Sequence, residues 1–314
     1  MIHRPLGRSG LSIAPLVFGG NVFGWTADEA MSHRLLDAFV DAGFNMIDTA
    51  DAYSRWVPGN QGGESEAIIG RWLAKGGKRE RVLIATKVGH DMGPRGKGLS
   101  KAHILKSVEE SLVRLQTDRI DLYQSHVEDA ETPTEETLSA YEQLVREGKV
   151  RAIGASNHSV EKMTEALTIS ERNGWPRYQT VQPLYNLIDR SPFEDALASF
   201  CRERQLGVIC FFPLASGFLS GSYRKESDAE GRARGERAKK YMNERGWRVL
   251  AAVDEVAREN DATPTQVALA WLLTRPGVTP IASARTVEQL QDLLAAPNLV
   301  LPLDAIARLD KASS

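Results

Sequence analysis

Phe44-Asn45-Met46-Ile47-Asp48-Thr49-Ala50-Asp51-Ala52-Tyr53 is the stretch on which the fold turns. Residues 45–47 form a short run of strand-forming and apolar side chains that ends abruptly on a carboxylate. Amphipathic patterns of helical period flank the stretch on both sides, at 28–42 and 64–75. A buried strand ending in a polar group between two helices is one unit of an α/β fold. Outward from this unit the pattern repeats. Further short apolar runs lie at 16–18, 82–85, 120–123, 150–153, 179–181, 208–211 and 278–281. Helical patterns separate them at 101–116, 134–147, 160–172, 193–204, 247–260, 264–274 and 287–295. Ser100 and Thr132-Pro133 read as helix starts, since Ser or Thr accepts otherwise unpaired amide hydrogens there. Strands that are apolar on both faces and separated by helices imply a parallel sheet, and eight such units predict a closed (β/α)8 TIM barrel. The rival doubly wound sheet would carry a Gly-rich phosphate turn after the first strand, and Phe18-Gly19-Gly20-Asn21-Val22-Phe23-Gly24-Trp25 lacks GxGxxG spacing. Gly93-Pro94-Arg95-Gly96-Lys97-Gly98 likewise lacks the spacing of a nucleotide P-loop and reads as a Gly-rich loop.

Composition is consistent with one large domain spanning 1–314. The chain is 42% hydrophobic and 25% charged, which supplies a substantial core and excludes disorder. Its 39 basic and 41 acidic residues leave a formal charge of -2, so nucleic acid and membrane surfaces are not expected partners. Cys201 and Cys210 match no redox or metal-ligating spacing, and no metal is expected. The most apolar stretch, 206–219, is broken by Pro213 and Gly217 and is too short to span a bilayer. Residues 1–10 lack the apolar block of a signal peptide, so a reducing cytoplasm is the expected location. The runs 2–4 and 11–13 flank Gly7-Arg8-Ser9-Gly10 and read as a hairpin plugging the barrel bottom. Residues 221–245, highly charged and following the seventh strand, form a long loop and a candidate lid.

In such a barrel the chemistry sits at the carboxyl ends of the strands. Asp48, Lys87 and His126 follow three consecutive strands, with Tyr53 in the first of the intervening loops, so the four can share one pocket. A tyrosine with a pKa near 10 is a weak acid at neutral pH unless a cation favours its phenolate. Lys87 would supply that cation, and Asp48 would hold the ammonium.

Those residues, and others along the chain, resemble the aldo-keto reductase superfamily. Asp48-Thr49-Ala50-Asp51-Ala52-Tyr53 resembles its DTADxY segment, and His3-Arg4-Pro5-Leu6-Gly7-Arg8-Ser9-Gly10-Leu11 its N-terminal hairpin. Similar fragments follow in order: Gly63-Glu64-Ser65-Glu66, Ile84-Ala85-Thr86-Lys87, Asp121 to His126, Gly154-Ala155-Ser156-Asn157, Gln182 to Asn186, Pro213 to Gly217, and Ala284 to Leu290. The resemblance implies an NADP(H)-dependent oxidoreductase that transfers hydride to the carbonyl of an aldehyde, ketone or sugar. It implies Tyr53 as general acid, Lys87 and Asp48 as its partners, and His126 as the group orienting the carbonyl. Toward the cofactor it implies Gly20, Asn21, Trp25 and Asp48 near the nicotinamide. Ser156, Asn157 and Gln182 would bind the carboxamide, and Tyr185 or Phe211 would be the stacking surface. Pro213, Leu214, Ser216, Gly217 and Arg232 would cover the pyrophosphate, and Ser283, Arg285, Gln289 and Asp292 would hold the adenosine phosphate. Trp25, Tyr53, Trp56 and His126, with Asn21, His90 and Met92, would line the substrate mouth.

Phe212, Ser222 and Leu293 depart from the family pattern, where Ser, Lys and Asn are usual. Their loss of several hydrogen bonds, each worth roughly 0.5–1.5 kcal/mol, implies looser cofactor binding unless the basic run 232–240 compensates. Two other functions are weighed. One is a nicotinamide-binding redox sensor or regulatory subunit. The other is a lyase forming a Schiff base on Lys87, which Asp48 disfavours by keeping the lysine charged. The expected partner is a small carbonyl compound, and the expected assembly a monomer or small homo-oligomer.

Overall fold

The computed structural model describes residues 2–314. Eight parallel strands close into a barrel in the order β10-β3-β4-β5-β6-β7-β8-β9. They are β3 Val17–Gly19, β4 Met46–Asp48, β5 Leu83–Val88, β6 Ile120–Ser125, β7 Val150–Ser156, β8 Tyr178–Gln182, β9 Gly207–Cys210 and β10 Val278–Ala282. All eight coincide with apolar runs in the sequence. Side chains of a strand alternate between faces, so each strand serves two cores. Odd-phase residues such as Phe18, Ile47, Ile84, Tyr123 and Val208 pack outward against the helices. Inward-facing Val17, Met46, Ala85, Leu122, Ala152, Ile209 and Ile281 form a separate apolar floor inside the barrel.

The floor is sealed from below by the hairpin β1 Arg4–Pro5 and β2 Ser12–Ile13, antiparallel with Arg4 opposite Ile13. Leu6, Leu11 and Ile13 from this hairpin join the floor cluster. Gly7 turns beneath it with φ +55°, and a Cβ there would meet the Gly207 nitrogen at 2.3 Å, so a side chain at this position would push the plug off the barrel.

Around the barrel run α1 Glu29–Asp41, α2 Glu64–Leu73, α3 Lys101–Leu115, α4 Thr134–Arg146, α5 Val160–Asn173, α6 Ser191–Glu194, α7 Leu197–Arg204, α8 Gly235–Lys239, α9 Glu244–Glu259, α10 Pro264–Leu273, α11 Val287–Ala295 and α12 Leu303–Ser313. Four details differ from the sequence reading. The pattern at 193–204 is split into α6 and α7, with Ala196 off the helical region between them. Ser100 caps α3 as expected, but Thr132 does not cap α4, where Pro133 holds the cap position without a side-chain bond. Helix α12 went unread, since it follows no strand and so falls outside the repeat. Residues 221–245 are not a bare loop. They carry α8 and a short turn at Glu226–Ala229, and Tyr241 ties them down by donating to Asp189 at 2.6 Å. Among the described residues no helix is long and apolar enough to cross a membrane.

The plug is expected to be a main stability element. Ile13→Ala, at a fully buried site, should cost roughly 2–5 kcal/mol in urea unfolding, as large-to-small core changes do. Val300→Ala, 86% exposed, should stay within about 0.5 kcal/mol. Equal effects at the two sites would remove the plug from the core.

Candidate active site

Above the apolar floor the barrel interior turns polar. Asp48 closes β4 and Lys87 rises from β5 two residues beyond Ala85, the register partner of Asp48. Both side chains are shut off from solvent. The Lys87 ammonium donates to Asp48 Oδ2 at 2.6 Å, the Thr49 carbonyl at 2.8 Å and the Tyr53 hydroxyl at 2.9 Å. The Tyr53 hydroxyl in turn donates to Asp48 Oδ2 at 3.2 Å. The other Asp48 oxygen accepts from Gln182 Nε2 at 2.9 Å and, more weakly, from Gln124 Nε2 at 3.4 Å. Removing this pair from water costs several kcal/mol per ion, and the cost is offset only because nearly every lone pair and proton finds a partner.

The direction of the Tyr53 pKa corrects the expectation of an easily ionised phenol. Burial first, then the Asp48 carboxylate, raise it well above 10, and only the charge of Arg234 opposes this. Lys87 is lowered by burial, with Asp48 working the other way. The phenol therefore holds its proton at neutral pH, with an ammonium beside its oxygen to stabilise the phenolate it would leave. His126 follows β6, its ring edge-on to Tyr53 at 6.1 Å and to His90 at 4.0 Å. Burial, Lys87 and His90 depress its pKa well below 6.5, so the ring is neutral, and its Nδ1 is enclosed without a partner.

A cavity of about 1010 Å³ opens from Asp48, Tyr53 and His126 toward the β10–α11 junction. Of the residues expected in the site, Asn21, Trp56, Ser156, Asn157, Gln182, Phe211, Pro213, Leu214, Ser216, Gly217, Arg232, Ser283, Arg285, Gln289 and Asp292 line it. The departures Phe212, Ser222 and Leu293 also face it. Five expected residues do not. Met92 is buried, with its methyl group toward Gly62. Lys87 lies behind Tyr53 and Asp48. Gly20 packs against the Ser65 hydroxyl and the Asp48 carbonyl, leaving Gly19 to face the cavity. Trp25 stands behind the wall, edge-on to Trp56 at 5.5 Å. Tyr185 is displaced altogether. Its hydroxyl donates to Glu194 at 2.6 Å, and it borders a different cavity, beside Gly7 and Arg275. It lies three residues past the inward-facing Gln182, hence on the outward phase, which leaves Phe211 and Phe212 as the aromatic wall.

Arg234 and Arg237, with Arg55 and Asp91, are lining residues that were not singled out in the sequence. The basic run 232–240 was the signal for the two arginines Arg234 and Arg237. Arg232 donates to the Ser222 carbonyl at 3.0 Å, Arg237 sits 5.8 Å over the Phe212 ring, and Arg285 is exposed. Among the described residues none of Arg232, Arg234, Arg237 and Arg285 forms an ion pair with a carboxylate, although four guanidinium groups border one cavity. Left-handed backbone at Phe212, Ala215, Ser216 and Gly217 makes the adjoining loop a turn of the type that gathers amide hydrogens toward an anion. An elongated cavity with a polar end, an aromatic wall and unneutralised cations fits an extended dinucleotide carrying phosphate groups.

A sequence model of the Aldo/keto reductase family matches residues 15–314. An uncharacterized oxidoreductase YrpG of Bacillus subtilis (strain 168) is 37% identical over 99% of this chain and 95% of its own. A probable voltage-gated potassium channel subunit beta of Oryza sativa subsp. japonica is 32% identical over 98% and 97%. The L-glyceraldehyde 3-phosphate reductase of Escherichia coli O157:H7 is 31% identical over 99% and 92%.

Asp51, quoted in the sequence without a role, lies behind Lys87 with one oxygen buried and unpartnered. Burial and then Glu66 push its pKa up to about 7. In the unfolded chain it would ionise near 3.9, so between these values the folded state holds a proton that the unfolded state has lost. The stability contributed by this group is thus present at low pH and declines as pH rises toward 7. Comparing wild type with Asp51→Asn from pH 5 to 7, stability should shift toward the variant by up to roughly 1.4 kcal/mol per pH unit. Parallel thermal-melt curves across that range would contradict the assignment.

Proposed function

The chain belongs to the aldo/keto reductase family, and on that premise we propose that it is an NADP(H)-dependent reductase of small aldehydes, ketones or sugars, with Tyr53 as general acid. The observation that carries this reading is the contact of Lys87 with Tyr53 and Asp48 at the inner end of a cationic cavity. When bound, the reduced nicotinamide supplies the hydride. Phe211 and Phe212 offer it a ring surface, and Ser156, Asn157 and Gln182 offer hydrogen bonds to its carboxamide. Neutral His126 orients the carbonyl oxygen toward the Tyr53 hydroxyl. As negative charge builds on that oxygen, Tyr53 yields its proton, and the Lys87 ammonium stabilises the phenolate that remains. Asp48 holds the ammonium, and Gln182 and Gln124 hold Asp48. Pro213, Leu214, Ser216, Gly217 and Arg232 suit the diphosphate, and Ser283, Arg285, Gln289 and Asp292 the adenosine end.

Arg285 is the ground for NADP over NAD. It forms no pair with Glu288, and its planar fork suits a 2′-phosphate through charge-assisted bonds. A Schiff base on Lys87 is disfavoured, since its three partners occupy the three protons of an ammonium. Similarity to a channel subunit beta keeps a second reading, a nicotinamide-binding regulatory subunit, and carbonyl turnover separates the two. A cytoplasmic monomer or small homo-oligomer completes the proposal.

With NADPH and a panel of aldehydes, ketones and sugars, absorbance at the reduced-nicotinamide band should fall with at least one member. Tyr53→Phe should lower turnover roughly 10²–10⁴-fold while retaining NADPH binding. Near-normal reduction by that variant would remove Tyr53 from its role. Arg285→Ala should weaken NADPH by roughly 1.5–3 kcal/mol and leave NADH nearly untouched in fluorescence titrations. Equal losses for both cofactors would remove the ground for NADP.

A further inference from the structure

Arg234 stands apart from the other cations of the cavity. Arg232 leans on the lid through Ser222 and lies 4.9 Å over the Tyr223 ring, and Arg285 is out at the β10–α11 junction. Arg234 instead reaches the inner end. With the Asn21 amide turned so that its nitrogen faces Ser283 and its oxygen faces Arg234, one Arg234 nitrogen donates to that oxygen at 2.9 Å, and the guanidinium lies 5.7 Å from the Trp25 ring. Trp25 meets Trp56, and Trp56 meets Tyr53 at 6.2 Å, so Arg234 belongs to the aromatic wall around the reacting hydroxyl. Its charge is also the one that acts to lower the Tyr53 pKa.

Among the described residues no carboxylate answers this charge. Asp48 is committed to Lys87, and the Asp91 carboxylate accepts from the Gly93 amide at 2.7 Å. Asp292 accepts from Thr263 and Gln266 at 2.7 and 2.9 Å. Burial, Arg237 and Arg285 together press the Arg234 pKa down to about 10, as expected of a partly buried cation held beside other cations. A guanidinium kept in such surroundings without an anion is costly, and a fixed fork facing a cavity is suited to two parallel bonds with a carboxylate or phosphate.

We propose that Arg234 is the subsite for an anionic group carried by the carbonyl substrate itself, so that the enzyme favours aldehydes or ketones bearing a carboxylate or phosphate a few bonds from the carbonyl. The inference rests on the reductase reading for its kinetic test but not for its binding test. In the first test, kcat/KM is compared within the pairs succinic semialdehyde against butanal and glycolaldehyde phosphate against glycolaldehyde. Wild type should favour the anionic member of at least one pair, and the pair that responds identifies carboxylate or phosphate as the group recognised. Arg234→Leu should reduce that anionic-to-neutral ratio roughly ten- to a hundredfold. In the second, succinate, which cannot be reduced, is titrated into the NADPH-saturated protein and inorganic phosphate in a parallel arm, with tryptophan fluorescence as readout because Trp25 and Trp56 flank the subsite. One of the two anions should give a saturable change that weakens at least tenfold in Arg234→Leu, while a thermal melt confirms that the variant is folded.

An unchanged ratio in the variant would overturn the proposal. So would anion binding that is absent from wild type or insensitive to the substitution. A loss of NADPH affinity as large as the loss of anion affinity would also overturn it, since Arg234 would then belong to the cofactor diphosphate. Anion binding that depends on Arg234 in a protein that reduces none of the four aldehydes would uphold the subsite and count against the reductase reading alone.

Discussion

The ion pair between Lys87 and Asp48 is the constraint to which the rest of the site answers. Two charges enclosed in a barrel interior are tolerated only with close geometry and full hydrogen bonding. That requirement fixes the register of β4 against β5, the inward phase of Gln124 and Gln182, and the course of the loop that brings Tyr53 over the ammonium. It also explains the division of the interior. Hydrocarbon from Leu6, Leu11 and Ile13 upward to Ile281 closes the lower half to water, so the polar half above it opens only through the cavity.

Charge is distributed unevenly in a chain whose formal total is -2. Several arginines elsewhere are paired with buried carboxylates, as Arg79 and Arg151 are with Asp121, or Arg114 with Glu66. Around the cavity the pairing stops. Unneutralised cations facing a concave, low-dielectric space focus a positive potential there, which suits a ligand that is itself strongly anionic. The Ser222 position illustrates the exchange of contacts this allows. It lacks the expected lysine, yet Arg232 donates to its carbonyl, and Arg234 and Arg237 border the same cavity.

Much of this was legible in the sequence because a barrel strand has only two faces. Met46, Ala85, Ile209 and Ile281 belong to the inner floor, and two residues further along in or just past each strand come Asp48, Lys87, Phe211 and Ser283, all at the site or just behind its wall. Where that rule was not applied, the reading failed. Tyr185 carries the opposite phase and turns out toward Glu194. The basic run 232–240 was not resolved into directions, because a charged segment without apolar periodicity gives no sign of which side chains point inward. The direction of the Tyr53 pKa was missed for another reason. Lys87 was weighed as a neighbouring charge, whereas burial and the nearness of Asp48 to the same hydroxyl are properties of the folded chain alone.

The central claim is that a buried phenol, still protonated at neutral pH and backed by the Lys87–Asp48 pair, delivers its proton as a carbonyl is reduced. The most direct measurement is a single turnover of the NADPH-loaded protein with an activated aldehyde such as 4-nitrobenzaldehyde. It would be run in H2O and D2O, with and without deuterium at the transferable position of the cofactor. Label should appear on the carbinol carbon, and both substitutions should slow the same kinetic phase. A phase slowed by cofactor deuteration but indifferent to D2O would contradict proton delivery in that step. Failure of the bound cofactor to pass any label to the aldehyde would contradict the account of the site as a whole.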